Sequence, residues 1–348
     1  MSPEAKLELA PLIARVSEGA DLTAAEAEGA FMTVMSGEAT PVTMAALLIA
    51  LRTKGVVPSE IAGGVRALRR AMRPVASERT HELVDTCGTG GGSVRTFNVS
   101  TAAALTAAAA GVRVAKHGNR SFTSQSGSAD VLEALGVRIE LTPDEMGRVL
   151  AETGIVFMFA PLLHPAMRHV GPVRAELAVP TIMNLLGPLT NPAGVTRQLV
   201  GVSDPAWREL IARALLELGH RRALVVHGEP GMDELSPAGT TTVSDLRGGR
   251  LTTYSVIPAD LGLERGGLEA LAGGTPHENA TLIVDVLEGR RRGSARSFVL
   301  ANAGPAIYVA GLADSLPEGV AMASEAIDRG LAIRKLAELR EASRAGGG

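Results

Sequence analysis

A short apolar run, Leu83 and Val84, stops at a block of glycines, and an alanine-rich helix, Ala102 to Ala110, begins just beyond it. Between them lies Asp85-Thr-Cys-Gly-Thr-Gly-Gly-Gly-Ser-Val-Arg-Thr-Phe-Asn-Val-Ser-Thr101. This strand–glycine–helix order constrains the chain more than any other segment. Glycine lets a backbone adopt unusual dihedrals and approach an anion closely. The following helix turns unpaired N–H groups and the positive end of its dipole toward that loop. Asn98, Ser100 and Thr101 suit a helix start and can also donate to phosphate oxygens. The segment reads as a phosphate cradle, against the alternative of a tight turn with no ligand. A P-loop is excluded because no Lys-Ser or Lys-Thr pair closes the glycines. A dinucleotide fingerprint fails at its third glycine, where Ser93 stands.

A second polar segment sharpens the reading. Val112 to Ala115 reads as a short strand, followed by Lys116-His-Gly-Asn-Arg-Ser-Phe-Thr-Ser124 and then Gly127-Ser-Ala-Asp130. Ligands of open α/β sheets bind at the carboxyl ends of strands, so two polar loops leaving one edge converge on one ligand. A cation among hydroxyl and amide donors is what a phosphorylated sugar requires.

These residues resemble a known family. Gly-Thr-Gly-Gly followed by Thr-Phe-Asn-Val-Ser-Thr, then Lys-His-Gly-Asn-Arg-Ser and Ser-Gly-Ser-Ala-Asp-Val-Leu-Glu-Ala-Leu-Gly, is similar to the anthranilate phosphoribosyltransferases of tryptophan biosynthesis. The likeness continues through His164 to Arg174, Asn184 to Pro192, Gly231 to Ser236 and Asn302 to Gly311, and so covers nearly the whole chain. The resemblance implies transfer of phosphoribose from its 1-pyrophosphate to the amine of anthranilate, with Mg²⁺. It carries phosphoribosyl pyrophosphate binding onto Gly88, Gly91, Gly92, Thr96, Asn98, Val99, Ser100, Thr101, Lys116, His117, Gly118, Asn119, Arg120, Ser121, Phe122, Thr123, Ser124 and Ser128. It carries anthranilate onto Arg174, with Gly88, His117 and Asn119 lining the rest and Arg168 and His169 as secondary contacts. Metal falls on Ser100, Asp233 and Glu234; two adjacent carboxylates suit Mg²⁺, though without the resemblance an acidic turn is the plainer reading. The ordinary alternative for Arg174 is a surface arginine paired with Glu176. The family's loop most often reads Gly-Thr-Gly-Gly-Asp-Gly, whereas Gly92 and Ser93 stand at the last two positions here. Direct phosphate contact by Ser93 and Arg95 is one way to compensate. No acid or base is assigned; His117 is at most a late proton acceptor.

With 348 residues, two domains are expected. Lys6 to about Arg73 carries helical apolar spacing (Leu7, Leu9, Leu12, Ile13; later Ile61, Val65, Leu68) with helix starts at Thr23 and Pro41. Beyond a connector to Leu83, strands are expected at Val112–Ala115, Ile155–Phe159, Leu199–Val202, Arg222–Val226, Thr281–Ile283 and Leu251–Tyr254. Helices are expected at Ala102–Ala110, Val131–Leu135, Asp144–Glu152 and Arg208–Leu218. Their alternation argues an α/β layer fold with a mostly parallel central sheet flanked by helices, of the nucleoside phosphorylase/phosphoribosyltransferase type. The expected division is a small all-helical domain, residues 1–74, joined by a helical insertion at about 164–186; an α/β domain of 83–163 and 187–344; and a flexible tail, 345–348. The insertion's place and a homodimer through the helical domain are implied by the resemblance.

The net charge of −3 gives no bulk attraction for nucleic acid or an anionic membrane. Cys87 is the sole cysteine, so no internal disulfide forms, and it reads as a small strand-end residue rather than a nucleophile. Glu4, Lys6 and Glu8 interrupt any signal-peptide core, and apolar runs are too short to span a bilayer. A cytoplasmic enzyme is the expectation. Arg290 to Arg292 reads as an exposed turn. The competing readings are a pyrimidine-nucleoside phosphorylase of similar fold and a nucleic-acid-binding relative without catalysis.

Overall fold

The computed structural model describes residues 8–121 and 125–345. Four helices open it: α1 (Leu9–Ser17), α2 (Ala24–Met35), α3 (Pro41–Lys54) and α4 (Pro58–Ala71). Thr23 caps α2 through its side chain and Glu26 returns the bond, while Thr40 caps α3 ahead of a proline suited to the first turn. Strands and helices then alternate: β1 (Val84–Gly88), α5 (Val99–Ala109), β2 (Val114–Gly118), α6 (Ser128–Ala134), α7 (Pro143–Thr153) and β3 (Ile155–Phe159). The proline-punctuated insertion is helical, as α8 (Ala160–Leu163), α9 (Met167–Leu177) and α10 (Met183–Leu186). The rest comprises β4 (Arg197–Gly201), α11 (Pro205–Glu217), β5 (Arg222–Gly228), β6 (Thr241–Arg247), β7 (Arg250–Val256) and helices α12 (Pro276–Leu287), α13 (Ser294–Ala310), α14 (Leu316–Asp328) and α15 (Leu331–Arg344).

The seven strands form one sheet in the order β3-β2-β1-β4-β5-β6-β7. The first five are parallel; β6 and β7 return as an antiparallel hairpin. The fold is a small helical bundle beside a larger, mostly parallel α/β layer structure. One sheet face packs on α5, α13 and their neighbours, burying Leu199, Leu224, Phe298 and Ile307. The other face, through Val200, Val225 and Leu246, shares a continuous apolar core with α11, α1–α4, and Val170, Val173, Ile182 and Leu186 of the insertion.

Three local expectations are corrected. Thr281–Ile283 lies inside α12, not in a strand; Thr275 and Glu278 form a capping box, and Ala280, Ile283 and Leu287 recur at helical spacing. Strand β6 was not expected, although Thr241 to Arg247 and the Gly248-Gly249 pair carry a hairpin signature. Strand β2 runs two residues past Lys116, so Lys116 and His117 belong to a buried strand rather than to the loop after it. Of the tail expected at 345–348, Ala345 caps the end of α15, its N–H donating to Glu341 O (3.0 Å) and its carbonyl accepting from Arg148, while 346–348 and the N-terminal residues through Leu7 lie outside the described residues.

Candidate active site

Connections from β1 run toward β2 and β3, and those from β4 toward β5, so the crevice between β1 and β4 is the switch point of the sheet. Gly88, the end of β1, pairs with Gly201, the end of β4. The loop after β5 folds across both. A Cβ on Gly201 would fall 1.5 Å from the backbone oxygen of Asp233, and one on Gly88 only 2.5 Å from Asp233 Oδ2. Glycine at these two ends is what lets the acidic loop descend onto the glycine loop. Gly90, at φ +67°, donates its N–H to Asp233 Oδ2 at 2.9 Å.

Ser93 ties the two loops a second time, its N–H donating to Gly231 O (2.9 Å) and its hydroxyl to Pro230 O (2.8 Å). The hydroxyl expected to compensate for the missing acid by touching phosphate is thus committed to the acidic loop. Gly92 faces the same loop, with the place of its Cβ 3.4 Å from Asp233 Oδ1. Thr96 bridges to Ala272.

Helix α5 starts three residues earlier than its alanines suggest, so Val99, Ser100 and Thr101 form its first turn with Asn98 at the cap position. Asn98 does not cap its own helix. Its Oδ1 accepts from Ser126 Oγ and Asn279 Nδ2, each at 2.9 Å, and its Nδ2 donates to Ser126 O. The side chain therefore braces the helix start against α12 instead of facing outward. Sequence reasoning missed Asn279, which lies on a segment without motif character.

Beneath α5, the Lys116 ammonium donates to Thr86 O at 2.6 Å and to Ser100 Oγ at 3.2 Å. Burial lowers its pKa, while the nearby Asp85 charge acts the other way. Asp85 is fully buried; it accepts the His117 N–H (3.1 Å) and the Asn191 amide (2.8 Å), and burial lifts its pKa to about 6. Burial raises Asp233, and it raises Glu234 well above the carboxylate range, with the Asp233 charge adding to the effect. Two crowded, desolvated carboxylates beside the glycine loop fit an oxygen-seeking divalent cation, whose charge would relieve their repulsion. Among the described residues no group of three or more His, Cys, Asp or Glu side chains is placed to hold a metal. A cation here would complete its shell from Ser100, water and substrate oxygens.

His117 Nε2 lies 3.1 Å from His164 Nε2, joining β2 to the segment that leads into α9. Burial depresses both rings, to about 3 and about 4, so two neutral imidazoles meet with one donating and the other accepting. Arg174 lies in the last turn of α9, half-buried. It makes no ion pair with Glu176 or with any other described residue, and desolvation lowers its pKa. Arg168 and His169 touch each other (3.3 Å) on the side of Gly37. Arg120 departs from expectation: its guanidinium is engaged by Asp130 (2.8 Å) and Glu133, over the Phe159 ring, not directed at the cradle. Gly118 and Ser128 pack together where β2 ends, and Asn119 Oδ1 accepts the Arg120 N–H. Phe122, Thr123 and Ser124 lie outside the described residues. The Cys87 thiol is pushed up by burial, against nucleophilic use.

The structure thus brings Gly88, Gly92, Ser100, Lys116, Asp233 and Glu234 to one crevice, with His117 beside Lys116. Comparison with known proteins gives the same frame. Residues 10–72 match the helical bundle domain of a glycosyl transferase family, and residues 80–333 match its a/b domain. The chain is 52% identical over 331 residues, 95% of this chain and 96% of the relative, to the anthranilate phosphoribosyltransferase of Rubrobacter xylanophilus. It is 51% identical, over the same shares, to that of Symbiobacterium thermophilum. The crystal structure of the Thermus thermophilus enzyme superposes with a TM-score of 0.91 at 46% identity, covering 96% of this chain and 99% of that one. The Saccharomyces cerevisiae enzyme in complex with PRPP and Mg superposes at 0.85 with 27% identity, covering 96% and 98%. By this likeness along its length, and by the crevice that its own residues build, the chain belongs to the anthranilate phosphoribosyltransferase family.

Proposed function

We infer that the chain transfers the 5-phosphoribosyl group of 5-phosphoribosyl 1-pyrophosphate to the amine of anthranilate. The products are N-(5-phosphoribosyl)anthranilate and pyrophosphate, an early step of L-tryptophan biosynthesis. The observation that carries this reading is the meeting of the glycine loop, the α5 start and the Asp233–Glu234 pair at one switch point. The yeast relative solved with PRPP and Mg, and again with 4-fluoroanthranilate, supports the same substrates.

In this reading the first-turn N–H groups of α5 hold phosphate oxygens, and the buried Lys116 fixes Ser100 while adding positive potential below the helix start. Asp233, Glu234 and Ser100 would hold Mg²⁺, which would supply positive charge to offset that of the departing pyrophosphate. Gly90 and Ser93 lock the acidic loop so that the carboxylates are aimed before substrate arrives. Arg174, with no ion-pair partner among the described residues, takes the anthranilate carboxylate, and Gly88, His117 and Asn119 line the ring. An aromatic amine is neutral at pH 7, so positioning and electrostatics carry the acceleration and no general base is assigned. His117 and His164 remain neutral and already satisfy each other, which keeps the acceptor wall free of competing charge.

The chain divides, in this proposal, into a helical part of residues 1–74 with 164–186 and an α/β part of 83–163 with 187–344. The helical part is proposed to pair with a second copy; Val42, 78% exposed on α3, offers apolar surface, and light scattering of a monomer would refute it. No helix among the described residues is long and apolar enough to cross a membrane, which suits the proposed cytoplasmic role.

Loss of anthranilate fluorescence on adding donor and Mg²⁺ tests the reaction. Wild type should turn over, and Asp233→Asn/Glu234→Gln should fall by at least about a hundredfold. Phosphorolysis of thymidine or uridine in place of this signal would overturn the assignment.

A further inference from the structure

At the opposite end of the sheet, β4, β5, β6 and β7 place an arginine each in one register row: Arg197 pairs with Arg222, Arg222 with Arg247, and Arg247 with Arg250. In-register neighbours point to the same face, about 5 Å apart from strand to strand. Like charges directly opposite one another are destabilising. The same row continues on the other side as Val84, Val114 and Ile155, all buried, so nothing in the fold demands charge here. Arg221 stands exposed beside the row. None of these five arginines forms an ion pair among the described residues.

Local roles account for only part of the arrangement. Arg197 donates to Ala310 O and so closes the carboxyl end of α13, and the Arg222 guanidinium lies 4.6 Å from the centre of the Tyr308 ring. Arg197 Nε and Arg222 Nη2 are nevertheless buried without an acceptor. Orphaned donors on a cation point to a missing anion or water. The two side chains also converge: at Gly311, the point a Cβ would occupy lies 2.9 Å from Arg222 Nη1 and 3.2 Å from Arg197 Nη1. The acids nearby are committed elsewhere. Glu82 pairs with Arg79, and Asp245 Oδ2 accepts from both Tyr254 and Tyr308.

We propose that Arg197 and Arg222, flanked by Arg221 and Arg247, form a second anion site for a phosphate group, at the amino ends of β4 and β5 and remote from the cradle. A tetrahedral dianion takes several N–H donors at once, which guanidinium pairs supply in a fixed fork. The phosphate could be free or carried on a sugar.

Isothermal titration with inorganic phosphate, and separately with ribose 5-phosphate, tests this on the full chain in EDTA and low salt. Two binding events are expected in wild type. Lys116→Met should remove the one at the cradle, and Arg197→Gln/Arg222→Gln should weaken the other at least tenfold without changing turnover. Equal affinity for both probes would show that phosphate alone is read; tighter sugar phosphate would add a sugar contact. If the double variant does not fold, Arg221→Gln/Arg247→Gln, at exposed or edge positions, should weaken the same event about threefold through lost charge. A single event in wild type, or a second event that survives folded variants of this row, overturns the proposal.

Discussion

Arg174 combines two properties that seldom coexist in a structural arginine: partial desolvation and the lack of an ion-pair partner among the described residues. A charge-assisted bidentate pair with a carboxylate is worth about 1.5–3 kcal/mol. Arg174→Ala should therefore raise the anthranilate Michaelis constant about 10- to 100-fold and leave that of the donor nearly unchanged. Steady-state kinetics with each substrate varied in turn check this, and a collapse of donor binding alone would remove Arg174 from the acceptor site. Gly92 matters in the opposite sense. With no carboxylate there, Asp233 and Glu234 are left as the acids of the crevice, and Ser93 is spent on fastening their loop.

Among elements, the loop after β5 is the most demanding, because it lies on the ends of two other strands. Its backbone comes so close to Gly201 that even one methyl group has no room. Gly201→Ala must push Asp233 away, since the clash is with backbone and not with a flexible side-chain end. The expected result is a loss of about 1–3 kcal/mol of stability, the usual range for overpacking, with a far larger fall in turnover as the carboxylates leave their register. Denaturant titration beside the fluorescence assay separates the two effects; an active Gly201→Ala enzyme would show that the loop's position does not matter. Helix α5 depends on its surroundings in the same way. Its cap residue serves α12 and the Ser126 loop, so the preorganisation of the cradle comes from segments far along the chain.

For the molecule as a whole, the buried titratable groups set an acid limit. His117 and His164 have folded pKa values, about 3 and about 4, below the unfolded 6.5. The unfolded chain thus binds more protons, and their contribution, present above pH 6.5, is lost as pH falls toward those values. Asp85 acts oppositely: raised from 3.8 to about 6, it favours the folded state at low pH and loses that contribution as pH rises through 6. His220, pushed down to about 3 by burial, acts with the histidine pair, and the raised Asp233 and Glu234 act with Asp85; the pair's own share is a loss of stability from pH 6.5 down to about 4. Urea unfolding across that range should show it, and His117→Asn/His164→Asn should flatten the slope; an unchanged slope would mean that the pair is not buried neutral.

The helical block, the alternation beyond Leu83, the glycine loop and the acidic pair were legible in the chain, because capping residues, apolar period and glycine clusters are local signals. Thr281–Ile283 misled because β-branched residues carry a strand preference that the capping box at Thr275 overrides. The burial of Lys116 and His117 could not be read locally: a polar strand looks like a loop until its neighbours cover it. Nor could the partners of Asn98, the commitment of Arg120 to Asp130 and Glu133, or the lack of an ion-pair partner for Arg174 among the described residues, since each depends on residues brought close by packing. By itself the sequence determined which chemistry the chain carries and in what order its elements form. Only the tertiary structure decided which of those side chains face the crevice, because hydrogen bonds and desolvation are made by neighbours in space.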